Sequence, residues 1–125
     1  MSKKRILLAE DDRFILEMYA EKLQANGHKV DLAEDGATAI ELAEKNTPDL
    51  IMLDIIMPKK DGFEVLASLK KDKKLEKVPV ILLTNLGQRQ NIEKGLKMGA
   101  TDYIIKVHFT PAEVISKMEA VLEKK

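Results

Sequence analysis

The chain has 125 residues, 45% of them apolar, which suits one domain built on one core of ordinary size. Its 21 Lys plus Arg balance 21 Asp plus Glu, so no bulk charge draws it to nucleic acid or to an anionic membrane surface. With no cysteine and only His28 and His108, the composition excludes disulfides, thiolate nucleophiles and Cys- or His-rich metal sites, and a reducing, cytoplasmic setting is expected.

The N-terminal residues Met1-Ser2-Lys3-Lys4-Arg5 lead into only four apolar residues before Glu10, too few for the apolar centre of a signal peptide. No stretch approaches the ~20 apolar residues of a spanning helix, so no membrane insertion is expected.

Short apolar runs alternate with longer amphipathic segments from one end to the other, the pattern of strand-helix units around a parallel sheet. Ile6 to Ala9 predicts a strand, Asp12 to Ala25 a helix closed by Asn26-Gly27, Lys29 to Ala33 a second strand and Gly36 to Lys45 a second helix. Thr47-Pro48-Asp49 turns the chain into a strand from Leu50 to Leu53, followed by a helix from Gly62 to Lys71 and a strand from Val78 to Leu83. A helix from Gln88 to Met98 follows, ended by Gly99, which is read as a terminator despite its four-residue spacing from Gly95. Tyr103 to Ile105 forms the last strand, and Thr110-Pro111 supplies a cap and a proline to open a helix from Pro111 to Glu123.

The first, third and fourth strands are apolar without alternation, as strands covered by helices on both faces should be, while the second and fifth read as edges. The charge runs Lys70 to Lys74 and Glu123-Lys124-Lys125 read as solvated helix ends. The expected architecture is a single doubly wound α/β domain over residues 1–125, its right-handed crossovers placing every strand's carboxyl end on one edge of the sheet.

That edge collects chemistry. Strand one ends in Glu10-Asp11, strand three in Asp54, strand four in Thr84 and strand five in Lys106. Crowded carboxylates raise one another's cost of ionisation, and a hard divalent cation relieves it, Mg²⁺ being suited because it takes a few carboxylates and keeps several waters. A carboxylate beside Mg²⁺, an ammonium and a hydroxyl is equipped to attack a phosphoryl group and become an acyl phosphate.

As a set these residues resemble the receiver domain of two-component response regulators over essentially the whole chain. Glu10-Asp11 matches the acidic pair, Asp54 in Leu53-Asp54-Ile55-Ile56-Met57-Pro58 the phosphoacceptor, Gly62 the following loop, and Thr84 and Lys106 the remaining pair. Gly99-Ala100-Thr101-Asp102-Tyr103 is similar to the segment before the lysine. The resemblance implies a flavodoxin-like fold of five parallel strands in the order 2-1-3-4-5. It also implies phosphoryl transfer to Asp54 from a histidine kinase or phosphotransfer protein. Mg²⁺ would be held by Asp11, Asp54 and the Ile56 carbonyl, with Glu10 assisting through water. Thr84 and Tyr103 would form the switch, and Phe14, Ile15 and Met18 on a broadly apolar first helix would form a patch for the phosphodonor. The receiver would catalyse only its own phosphorylation and dephosphorylation.

With the last helix using the chain to Lys125, a free-standing, chemotaxis-regulator-like receiver is expected, a monomer that acts on another protein and not directly on nucleic acid. The other reading is a receiver-like interaction module that never becomes phosphorylated; a flavin binder would need aromatics that a chain 4% aromatic lacks, and an aspartyl-phosphate phosphatase would need an acid where Ile56 stands.

Two departures from the family carry expectations. Val107 replaces the proline that usually follows the lysine, so a trans bond and an altered loop are expected there, with His108 facing solvent. Ile56 and Leu86, each two residues past a site residue, are apolar where receivers often carry groups that position water, which predicts a long-lived acyl phosphate.

Overall fold

The computed structural model describes residues 4–123; Met1, Ser2 and Lys3 of the basic leader and Lys124-Lys125 of the terminal charge run lie outside the described residues. Strands β1 (Arg5–Ala9), β2 (Lys29–Ala33), β3 (Leu50–Leu53), β4 (Val80–Thr84) and β5 (Asp102–Ile105) alternate with helices α1 (Arg13–Ala25), α2 (Gly36–Lys45), α3 (Gly62–Lys71), α4 (Arg89–Lys97) and α5 (Pro111–Glu123). All strand pairs are parallel, in the order β2-β1-β3-β4-β5, so β2 and β5 are the edges, as expected.

The unbroken apolar runs follow from this layering. Leu7 and Ala9 of β1, Ile51 and Leu53 of β3, and Val80 and Leu82 of β4 pack in one core with Ala39 and Ala43 of α2 and Val65, Leu66 and Leu69 of α3. Their neighbours Ile6, Leu8, Leu50, Met52, Ile81 and Leu83 point the other way, onto Leu16 and Leu23 of α1 and Val114 and Met118 of α5.

Several boundaries shift for local reasons. The fourth strand starts at Val80 and not at Val78: Pro79 has no N–H for a ladder, and the Val78 N–H closes a turn onto the Leu75 carbonyl at 3.0 Å. Thr84 closes that strand as the partner of Ile105. Two strands gain a residue, since Arg5 pairs with Lys29 and Asp102 with Ile81.

The first helix begins at Arg13 because Asp12 is its cap, accepting from Phe14 and Ile15 N–H at 3.0 and 3.2 Å. The fourth helix runs Arg89–Lys97, with Gln88 and Met98 as flanking residues. Asn26 keeps φ at −87°, leaving Gly27 at +90° to make the left-handed turn, and Gly99 at +108° ends α4.

Reciprocal capping boxes, Asp61 with Glu64 and Thr110 with Glu113, start α3 and α5. His28, to which the sequence assigns no role, is buried with Nε2 3.1 Å from Glu119 Oε2 of α5.

Candidate functional site

The register of the sheet brings the carboxyl ends of β1, β3 and β4 side by side, with β5 flanking β4. Immediately past β1, Glu10 is drawn inward to 4% exposure while Asp11 stays exposed and Asp12 turns away to cap α1. Three consecutive acids thus take three separate tasks. Asp54 follows β3, itself buried at 7% exposure, and its N–H continues the ladder onto the Ala9 carbonyl at 3.0 Å. One carboxylate oxygen each from Glu10, Asp11 and Asp54 can lie within 4.8 Å of the others.

Lys106 reaches in from the end of β5. Its Nζ donates to Asp54 Oδ2 at 2.8 Å and also to Glu10 Oε1. Burial alone would lower the lysine, but the two carboxylates outweigh it and hold Lys106 above its ordinary value. Burial pushes Glu10 up to about 7, against the pull of the Lys106 hydrogen bond. Glu10 therefore meets Lys106 directly, a contact the sequence did not announce.

The other oxygen of Asp54, Oδ1, accepts from Ile55 N–H at 2.7 Å and from Ile56 N–H at 3.4 Å. Gly62 guards this stretch: its N–H bonds the Ile55 carbonyl at 2.8 Å, and a Cβ there would stand 2.4 Å from the Asp54 carbonyl oxygen.

Thr84 is buried at 1% exposure at the end of β4, its Oγ accepting from Leu86 N–H at 3.4 Å. The half-buried Tyr103 donates its hydroxyl to the Leu86 carbonyl, tying β5 to the loop that follows Thr84. Gly95 lets α4 approach this ring, since a Cβ would meet Leu82 Cδ1 at 2.5 Å and the Tyr103 ring at 3.3 Å. Its spacing from Gly99 thus reflects helix-sheet contact as well as termination.

No cis peptide bond occurs among the described residues; after Lys106 the chain makes a 3-10 turn over Lys106–His108, pinned by Val107 N–H to Asn85 Oδ1 at 3.1 Å. His108 is exposed.

On α1, Phe14 stands 79% exposed, whereas Ile15 and Met18 are half-buried against the α1/α5 core. Ile56 and Val107, 60% and 74% exposed, occupy the loops after β3 and β5. Exposed apolar groups thus stand on three separate segments, each close in the chain to a residue of the acidic pocket.

The donor set is all oxygen, partly buried and acidic, which fits a hard divalent cation and not a soft one. Fold and pocket together define a doubly wound α/β domain with an acidic, lysine-bridged centre at the carboxyl edge of its sheet. Residues 6–119 match the response regulator receiver domain, and the chain belongs to that family. It is 39% identical over 120 residues to the DNA-binding dual master transcriptional regulator RpaA of Synechocystis, covering 96% of this chain and 49% of that one. It is 36% identical over 121 residues to the alkaline phosphatase synthesis transcriptional regulatory protein PhoP of Bacillus subtilis, covering 97% and 49%. The chain spans about half the length of the curated relatives it matches.

Among solved structures it is similar to the Francisella response regulator 1452 receiver domain, with TM-score 0.88, 33% identity and 97% and 98% of the two chains covered. The Vibrio cholerae chemotaxis protein CheY4 overlays with TM-score 0.89 at 28% identity, covering 96% and 99%. No helix among the described residues is long and apolar enough to cross a membrane.

Proposed function

We propose that Asp54 accepts a phosphoryl group from a phosphohistidine of a kinase or phosphotransfer protein, and that this chain signals by the resulting change of surface. The observation that carries the reading is the three-way meeting of Asp54, Glu10 and Lys106 at the edge where strand ends from distant parts of the chain converge. With Oδ1 tied to two backbone N–H groups, Oδ2 is the attacking oxygen. It forms the new O–P bond as the P–N bond of phosphohistidine breaks and the imidazole leaves with the electron pair and takes up a proton. Lys106, already on Oδ2, then neutralises the charge of the transferred oxygens.

Glu10, Asp11 and Asp54 would hold Mg²⁺ with the Ile56 carbonyl, and the ion would supply positive charge against the phosphoryl oxygens. Thr84 bonds a phosphoryl oxygen, and Tyr103, whose hydroxyl shares the Leu86 loop with Thr84, carries the change to the α4–β5 surface. Phe14, with Ile15 and Met18 on the same helix and Ile56 and Val107 in the loops that follow Asp54 and Lys106, receives the phosphodonor. The apolar Ile56 and Leu86 slow hydrolysis by offering no group to position water.

Incubation with Mg²⁺ and acetyl phosphate followed by intact-mass measurement tests this. The wild type is expected to gain one PO₃ and Asp54→Asn none. A wild type that gains nothing would instead favour constitutive binding.

A further inference from the structure

The loop between β3 and α3 carries Asp54 at one end and is gripped near the other by an element with no part in the chemistry. Its backbone doubles back at Lys59, whose φ of +68° is the only left-handed value at a non-glycine among the described residues, and Lys60 N–H closes onto the Pro58 carbonyl at 2.8 Å. A three-residue turn of this hand is rare and strained for a residue with a side chain, and persists only where its surroundings impose it.

The surroundings are the N-terminus of α2. Gly36 N–H donates to the same Pro58 carbonyl at 3.3 Å, and a Cβ on Gly36 would stand 2.1 Å from the Lys60 carbonyl oxygen and 2.7 Å from Lys60 Cβ. Asp35, fixed as the helix cap by Thr38 N–H at 2.7 Å and Thr38 Oγ at 3.0 Å, places its carboxylate 3.8 Å from the Lys59 ammonium.

We propose that Asp35 and Gly36 are positioning residues for the phosphoacceptor, acting through the turn at Lys59. Gly62 clamps the loop from α3 and Gly36 clamps it from α2, so the segment between them cannot rotate about Asp54. Held this way, Ile55 and Ile56 direct their N–H groups at Oδ1 and leave Oδ2 to Lys106. Once the α2 clamp is opened, Lys59 relaxes to negative φ and the loop swings. The Ile56 bond, already 3.4 Å long, is the first to go.

The inference rests on Asp54 being the phosphoacceptor, and its test separates the two. Mg²⁺ affinity by calorimetry and the rate of acetyl phosphate labelling by intact mass are measured at a temperature where circular dichroism shows every variant fully folded. Gly36→Ala is expected to weaken both by about tenfold to 100-fold, the usual cost of misplacing a ligand or an attacking group from a distance. Lys59→Gly and Lys59→Val lose the same charge, but only glycine accepts positive φ, so the valine variant is expected to be about tenfold weaker than the glycine variant on both readouts.

Gly27→Ala supplies the control: its φ is +90° with nothing within 4 Å, and it lies at the opposite edge of the sheet, so it lowers the melting temperature and leaves both readouts at wild-type values. Equal behaviour of Gly36→Ala and Gly27→Ala, or of the two Lys59 variants, would overturn the proposal. If the parent reading fails instead, the wild type takes no phosphoryl group while the Mg²⁺ affinities still rank the variants.

Discussion

Replacing Lys106 by methionine keeps a side chain of similar length and removes the ammonium that bridges Asp54, at 2.8 Å, and Glu10. Stranding a buried charge by deleting its partner costs about 3–5 kcal/mol. Here there is a partial relief, because Glu10 is already pushed up to about 7 by burial with the ammonium alongside, and it binds a proton more tightly once that ammonium is gone. A carboxyl whose folded value lies above its unfolded value binds its proton better in the native state. Its contribution to stability therefore falls as pH rises from the ordinary carboxylate range through the folded value.

The cost of Lys106→Met is accordingly expected to be about 3 kcal/mol near pH 5, where Glu10 is neutral and only Asp54 loses its partner, and about 5 kcal/mol near pH 8, where both acids do. For a chain of this length about 1 kcal/mol moves the melting temperature by ~4 °C, so the variant should melt about 12 °C lower at the acid pH and about 20 °C lower at the alkaline one. Thermal unfolding followed by circular dichroism across that range decides the matter. A depression of the same size at both ends, or a variant as stable as the wild type at the alkaline end, would refute the picture of Lys106 as the counterion on which two buried acids depend.

Ile56→Asn is expected to shorten the life of the acyl phosphate severalfold, followed by loss of the added mass after the phosphodonor is removed; an unchanged lifetime would show that the apolar residue offers no protection. Phe14→Ala, at a position 79% exposed, should leave stability within ~0.5 kcal/mol of the wild type. It should also raise KM about tenfold for the first purified phosphorylated kinase found to label the wild type, with labelling by acetyl phosphate unaffected. Equal losses with both donors would place Phe14 in the pocket's chemistry and not in docking. Thr110→Ala removes one half of the capping box on α5 and should cost about 1 kcal/mol, seen as a melting temperature lower by ~4 °C.

Much of the framework was legible because it follows from side-chain type and spacing. The apolar runs at Ile6, Leu50 and Val80 have no alternation because each side faces a helical layer, and the polar residue that ends each run falls at the sheet's carboxyl edge. Boundaries were less legible. Pro79 delays β4 by two residues and Asp12 spends its carboxylate on a cap, both local hydrogen-bond effects that periodicity does not register.

Beyond the gathering of the acids, Thr84 and Lys106 at one edge, particular contacts between segments far apart in the chain were not legible. The direct Glu10–Lys106 bond, the buried His28–Glu119 pair and the grip of Gly36 on the Lys59 turn join residues whose sequence neighbours give no sign of the partner. The sequence does show Gly36 opening a helix. It does not show that the bare Cα is needed to admit another loop.

The way α4 is seated has a consequence for movement. Gly95 is its one fully buried residue, so the helix leans on Leu82 and Tyr103 through main chain and sinks little hydrocarbon of its own. An element fastened at so small a footprint unlatches at low cost compared with α3, which inserts Phe63, Val65, Leu66 and Leu69. Under the proposed switch, a rotation of the Tyr103 ring would bear on the very spot where α4 rests, and a small event at one hydroxyl would be levered into a tilt along the nine residues of Arg89–Lys97.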